Sequence, residues 1–180
     1  MTKSRGYTLI ELMVSVGIFA LIMTLASGAY LIIIGVNRQV QATAVGIDNL
    51  SFVLEDMTRS IRTGTGYGCN GAGDCAAGGS SFTFTSSTGG GSVTYTRGTQ
   101  SGPDGTVGDI TVNGTPITDS TVNIGTLTFY TSGTATTRGV PANYEQSHVT
   151  IVISGTVKAG VGKTLSFSVE TAATMRGSDI

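Results

Sequence analysis

The chain starts with a short leader followed by a long apolar segment. Residues 1–6 form the leader, which ends at Gly6, and residues 7–36 are apolar or small apart from one carboxylate, Glu11. A helix rises about 1.5 Å per residue, so about 20 such residues cross the hydrocarbon core of a bilayer. The pattern therefore predicts a transmembrane helix over residues 7–36.

The helical pattern continues beyond the apolar segment but becomes one-sided. Apolar residues recur three or four positions apart, the spacing of one helix face, at Val40, Ala44, Ile47, Leu50, Leu54, Met57 and Ile61. The opposite face is polar and places Glu55 four residues before Arg59, a favourable order on a helix. We expect one helix from Tyr7 to about Thr63, whose amphipathic half, 37–65, docks on a globular domain.

Residues 66–180 have the pattern of short strands. Segments with alternating apolar and polar residues, separated by turns rich in Gly, Asn and Asp, occur at Ser81–Thr85, Ser92–Arg97, Asp109–Val112, Thr126–Thr131, His148–Ser154 and Thr164–Glu170. Such a pattern predicts hairpins in an antiparallel sheet with one buried face. The apolar stripe of the helix would cover that face. The predicted fold class is α+β: a long N-terminal helix packed on a C-terminal antiparallel β-sheet domain.

Glu11 is the first candidate for function. An acidic side chain within a membrane helix costs about 2–3 kcal/mol or more unless it is paired or reaches the interface. Lys3 and Arg5 favour a cytoplasmic leader by the positive-inside rule. A simple alternative is that Glu11 only extends to the membrane surface.

The residues around Glu11 resemble a known signal. Arg5 and Gly6, followed by YTLIELMVS, resemble the class III signal of type IV pilins and type II secretion pseudopilins; Tyr7 stands where family members most often have Phe. The resemblance implies that a prepilin peptidase cuts between Gly6 and Tyr7 and methylates the new amine of Tyr7. It also implies that Glu11 pairs with the N-terminus of a neighbouring subunit during assembly.

An ordinary secretory signal is the competing interpretation of this segment. Such a signal has an apolar core of about 7–15 residues and a cut site with small residues, which residues 26–29 could supply. However, the apolar segment continues past this point and contains Glu11. A mature N-terminus at Tyr7 or near Ala29 distinguishes the two interpretations.

The resemblance implies a structural role without catalysis or cofactors. It indicates a minor pilin or pseudopilin of a type IV pilus or type II secretion-like filament. Residues 52–62 and 165–176 loosely resemble those of J-type minor pseudopilins and W-type minor pilins.

The implied partners are the prepilin peptidase, other pilin or pseudopilin subunits, an inner-membrane assembly platform and, before assembly, the lipid bilayer. The implied location is the inner membrane, single-pass with the C-terminal domain outside the cytoplasm, and then the filament. The alternatives are a major pilin or surface adhesin of the same family, or an ordinary membrane-anchored binding domain.

Charge and the remaining candidate residues refine this interpretation. The formal net charge is −1 and the region after residue 66 is slightly acidic, which argues against a nucleic-acid partner.

Cys69 and Cys75 flank a short Gly-rich loop, and export predicts a local disulfide, since two thiols alone are too few ligands for a structural metal. Asp104 and Asp109 are weak calcium candidates because their spacing gives an incomplete ligand set. Residues 160–164 end like a phosphate-binding loop, but Val157 replaces its first glycine.

Overall fold

The computed structural model describes residues 6–71, 73–134, 146–160 and 162–176. These residues form one α-helix followed by strands, in the order α1 (Leu9–Thr63), β1 (Thr65–Cys69), β2 (Cys75–Gly79), β3 (Ser81–Thr85), β4 (Ser92–Gly102), β5 (Gly105–Val112), β6 (Thr115–Pro116), β7 (Val122–Ser132), β8 (His148–Lys158) and β9 (Thr164–Thr174). The predicted α+β, pilin-like architecture is confirmed. The chain divides into two compact units, Met1–Gln41 and Ala42–Ile180.

The first unit contains the apolar part of α1. Its large side chains are exposed: Phe19 retains 59%, Leu25 68% and Ile32 70% of their accessible surface. In the part of the chain that the structure describes, α1 is the one helix long and apolar enough to cross a membrane, with a mean hydropathy of 2.3 over its best window. These side chains are left for lipid or for other helices to cover.

The second unit contains the remainder of α1, which packs on the strands. Its buried residues are Gly46, Leu50, Val53, Leu54, Met57 and Ile61. The predicted stripe was wrong at its start, because Val40, Ala44 and Ile47 are exposed. The packed face begins at Gly46 instead, where an added Cβ would meet the side chain of Val157. The missing side chain lets the helix backbone come close to β8 at that point.

The strands form two antiparallel sheets instead of the predicted single sheet. One has the order β1-β3-β4-β5-β6 and the other the order β2-β7-β8-β9. Their inner faces meet at Phe82 of β3 and Phe129 of β7, whose ring centroids are 5.6 Å apart. Met57 and Ile61 of α1 complete this core and have no exposed surface. The hairpins were predictable locally, whereas the separation into two sheets depends on pairings between distant strands.

Three strands lack the alternation on which the prediction was based. β1, β2 and β6 are short, and the first two are rich in Gly and Ala. They enter their sheets by pairing with β3, β7 and β5, respectively. The predicted buried face also weakens at β9, where Leu165 remains 48% exposed because β9 is an edge strand.

Candidate processing and assembly site

The start of α1 is a capping box formed by Thr8 and Glu11. The carbonyl of Thr8 accepts the first helical hydrogen bond, from the N–H of Leu12 at 3.2 Å. The N–H of Glu11 donates to Thr8 Oγ1 at 3.3 Å, and the N–H of Thr8 donates to Glu11 Oε2 at 3.0 Å. These reciprocal bonds satisfy two backbone donors that the helix itself leaves unpaired. Thr8 is therefore the N-cap and Glu11 the third helical residue.

The same geometry leaves part of the Glu11 carboxylate available. Thr8 Oγ1 also donates to Oε2, at 3.0 Å, so both hydrogen bonds that the Glu11 carboxylate accepts in this cap end on Oε2. A carboxylate has about four acceptor positions on two oxygens, and Oε1 can therefore receive a cation while the cap stays intact. Negative charge is also favourable at a helix N-terminus, by about 0.3–1 kcal/mol.

The sequence interpretation missed Thr8. The sequence pattern that could have identified it is a threonine placed three residues before an acidic residue at the start of an apolar run. This pattern is typical of a capping box. Gly6 and Tyr7 lie before the helix in non-helical backbone. Tyr7 is 89% exposed, and a Cβ at Gly6 would meet no atom within 4 Å. The peptide bond of the predicted cut is thus accessible in the described chain.

The predicted Cys69–Cys75 disulfide is present, with its Cα atoms 5.9 Å apart. Cys69 ends β1 of the five-stranded sheet, and Cys75 begins β2 of the four-stranded sheet. The disulfide therefore links the two sheets at one corner. Beside it, the N–H and Oγ1 of Thr134 donate to Asp74 Oδ1 at 2.9 and 2.6 Å. These hydrogen bonds lower the pKa of the Asp74 carboxyl.

The two calcium candidates lie in different environments. Asp104 is in the turn between β4 and β5, with a side chain that is 76% exposed, and its Oδ2 is 2.6 Å from Lys158 Nζ. Asp109 on β5 has no exposed surface, and burial raises the pKa of its carboxyl. Within the described ranges, no group of three or more His, Cys, Asp or Glu residues could hold a metal ion. Calcium binding by Asp104 and Asp109 stays a prediction.

The fold and the capped helix start define an α+β, pilin-like chain with an exposed apolar N-terminal helix. A family model described as the prokaryotic N-terminal methylation motif matches residues 1–27, a range that includes Gly6, Tyr7 and Glu11. The chain therefore carries a type IV pilin-like prepilin signal, which supports a type IV pilin- or pseudopilin-like protein. The signal and the long apolar helix support membrane anchoring through α1. Searches of curated proteins and of solved structures each found no significant match.

Proposed function

We propose that this chain is a structural subunit of a type IV pilus or a type II secretion-like filament. In this proposal residues 1–6 are the leader, and a prepilin peptidase cuts between Gly6 and Tyr7 and methylates the amine of Tyr7. Residues 7–36 are held in the bilayer until the subunit joins the filament. The observation that carries the proposal is the methylation motif over residues 1–27, together with the uncovered apolar helix that begins within it at Leu9.

Glu11 has two roles in the proposed assembly. Before assembly, Thr8 holds Glu11 Oε2 at the helix start. Within the filament, the same carboxylate binds the positive amine of a neighbouring subunit's N-terminus. Two unit charges about 4 Å apart attract each other several times more strongly near a protein surface than in water. The pair therefore sets the axial position of one helix against the next.

The subunit type proposed here is a minor, non-enzymatic one. Gly28 stands where major pilins commonly have Pro, and residues 52–62 and 165–176 resemble those of J-type and W-type minor subunits. The helix half 37–65 and the β-rich region 66–180 would form the part outside the cytoplasm. The partners are then the prepilin peptidase, other subunits and the inner-membrane assembly platform.

Processing tests this proposal directly. We expect that the full chain, expressed with a prepilin peptidase, yields a mature protein that begins at Tyr7 and carries one added methyl group by mass spectrometry. Gly6→Val should abolish cleavage, whereas Gly17→Val should not. Neither glycine has an atom within 4 Å of an added Cβ, so a general packing defect does not explain a difference between the two variants. A mature start near Ala29, or no processing at all, would contradict the proposal.

A further inference from the structure

The strand β9 has an unusual free edge. Each sheet ends in two edge strands, β1 and β6 in one sheet and β2 and β9 in the other. β1 and β2 have 5 residues each, and β6 has 2 residues including Pro116. β9 has 11 residues with one charge, Glu170, and no proline. Proteins normally protect edge strands by shortness, charge or proline, and β9 has little of this protection.

The hydrogen bonds at the end of β9 show which backbone groups point outward. The N–H of Met175 donates to the carbonyl of Ser147 at 2.9 Å, on the side of β8. Because antiparallel partners alternate between bonded and non-bonded pairs, and the β8–β9 register is regular, the odd-numbered residues of β9 bond to β8. The even-numbered residues therefore direct their N–H and carbonyl groups away from β8.

A second contact agrees with this assignment. The N–H of Arg176, an even-numbered residue, donates to the carbonyl of Arg62 at 2.9 Å, at the C-terminal end of α1. Further along the strand, no strand of the described ranges pairs with the outward groups. These groups belong to Thr164, Ser166, Ser168, Glu170, Ala172 and Thr174.

A groove lies beside this edge, between β9 and the last turns of α1. Its volume is about 1020 Å³. Leu54, Val169 and Met175 give it an apolar floor, and Val169 and Met175 are only partly buried. An added strand would place alternate side chains over this floor, since successive side chains of a strand point to opposite faces.

The charges around the groove favour an acidic occupant. Arg59, Arg62 and Arg176 line it together with Glu55 and Glu170. No salt bridge joins any of these five side chains to another described residue. The guanidinium groups outnumber the carboxylates, and arginine binds carboxylates through paired hydrogen bonds.

We propose that β9 and this groove bind an extended, acidic segment of a partner protein as an added strand. The main chain of that segment pairs with the outward groups of β9. Its alternate apolar side chains cover Val169, and its carboxylates contact Arg59, Arg62 and Arg176. This is β-strand addition, in which backbone hydrogen bonds supply affinity and flanking pockets supply specificity. The surface is separate from the helix start and does not depend on the role of Glu11.

A synthetic peptide tests the binding mode. The probe is a fluorescein-labelled peptide of alternating threonine and valine that ends in two aspartates, and its control ends in two lysines. Fluorescence anisotropy is measured with the full chain in detergent micelles. We expect saturable binding of the acidic peptide, at least about tenfold tighter than that of the lysine peptide. Equal binding of both peptides, or no binding of the acidic one, overturns the proposal.

Variants test the two parts of the surface separately. Ala172→Pro removes one outward N–H and leaves the bonds to β8 in place, a change that edge strands tolerate. It should weaken acidic-peptide binding by at least about tenfold. The double variant Arg59→Gln, Arg176→Gln should do the same, while Lys163→Gln, an exposed cation outside the groove, should bind like the wild type.

The outcomes that overturn the proposal are distinct. Wild-type affinity in Ala172→Pro excludes strand addition on β9, and wild-type affinity in the double arginine variant excludes charge recognition. If Ala172→Pro fails to fold, the double arginine variant still tests the proposal. Its substitutions lie at exposed side chains, so we expect it to fold. Peptide-free dimerisation that Ala172→Pro abolishes would make a second copy the occupant, and the proposal would be wrong.

Discussion

Reduction of the Cys69–Cys75 disulfide is predicted to destabilise the β-rich unit by about 2.3 kcal/mol. The disulfide closes a small loop, with a sequence separation of 6, and the loop-closure entropy for this length gives the stated free energy. The loop joins β1 to β2, which belong to different sheets. Reduction therefore releases one covalent link between the sheets and leaves their shared core in place.

The expected change in melting temperature follows from the size of the unit. Unfolding entropy is about 2.1 cal/mol/K per residue, so a loss of about 2.3 kcal/mol from the unit Ala42–Ile180 lowers Tm by about 8 °C. The assay is thermal unfolding of the full chain in detergent, followed by the β-sheet circular dichroism signal with and without a reductant. The variant Cys69→Ala, Cys75→Ala should melt lower still, because Cys69 is 1% exposed and its truncation leaves a cavity.

The double-alanine variant is also the control for the reductant. Its Tm should not change when the reductant is added, so any general effect of the reagent is visible there. A change of less than about 2 °C in the wild type, with reduction verified by thiol labelling, would refute the loop-closure reasoning. It would mean that strand pairing alone fixes this corner.

Two further predictions concern the core. Met57→Ala should lower the free energy of unfolding by about 2–5 kcal/mol, measured by chemical unfolding, because Met57 has no exposed surface. Its control is Phe52→Ala, at a side chain that is 72% exposed, which should change this free energy by less than about 0.5 kcal/mol. Equal losses in the two variants would contradict the assigned packing face. Burial raises the pKa of Tyr67 from 10.0 to about 12. The stability that the neutral Tyr67 side chain contributes is therefore fully present below pH 10 and is lost as the pH rises through 12. Between these two values the free energy of unfolding falls by about 1.4 kcal/mol per pH unit. Tyr67→Phe should reduce this loss of stability between pH 10 and 12. It should also cost about 1 kcal/mol at neutral pH, because the Tyr67 hydroxyl donates to the carbonyl of Ile61 at 2.6 Å. An unchanged pH dependence in this variant would contradict the assignment of the high-pH loss to Tyr67.

The sequence predicted the elements better than their arrangement. Alternation around Phe82 and Phe84 predicted β3 with the observed bounds, since a half-buried strand carries this pattern in itself. β1 and β2 escaped prediction because TGYGC and CAAGG have no such alternation. Their pairing with β3 and β7 is a tertiary effect that the local sequence pattern does not show.

The helix was predicted more accurately at its C-terminal end than along its packed face. We expected an end near Thr63, where α1 does end. The stripe from Val40 was misplaced because apolar spacing does not reveal that the backbone approaches β8 closely at Gly46. The spacing of apolar residues in the sequence predicts that a helix has an amphipathic face. Contacts with the strands determine which residues of the helix are buried.

The candidate site was predictable where a local motif carries the chemistry. Gly6, Tyr7 and Glu11 all lie within the matched motif over residues 1–27, and the two cysteines are close in sequence. Thr8 could have been found from the same segment. The burial of Asp109 could not be predicted, because it depends on how β5 packs within the folded unit and not on the residues next to Asp109 in the sequence.

The observed capping role of Glu11 and its proposed role in charge pairing can be separated by two substitutions. Glu11→Gln removes the negative charge but keeps an acceptor for the N–H of Thr8, since glutamine also completes a capping box. Thr8→Val removes the hydroxyl of the cap and leaves the charge in place. The loss of the cap costs about 1 kcal/mol of helix stability, an effect confined to the helix start.

The most direct test is the amount of each variant in purified filaments, relative to its cleaved pool in the membrane. Charge pairing by Glu11 predicts that Glu11→Gln is absent from filaments while Thr8→Val is incorporated, with a reduction of at most about fivefold. If Glu11→Gln enters filaments like the wild type and Thr8→Val does not, Glu11 acts as a helix cap and the proposed pairing with a neighbouring N-terminus is wrong.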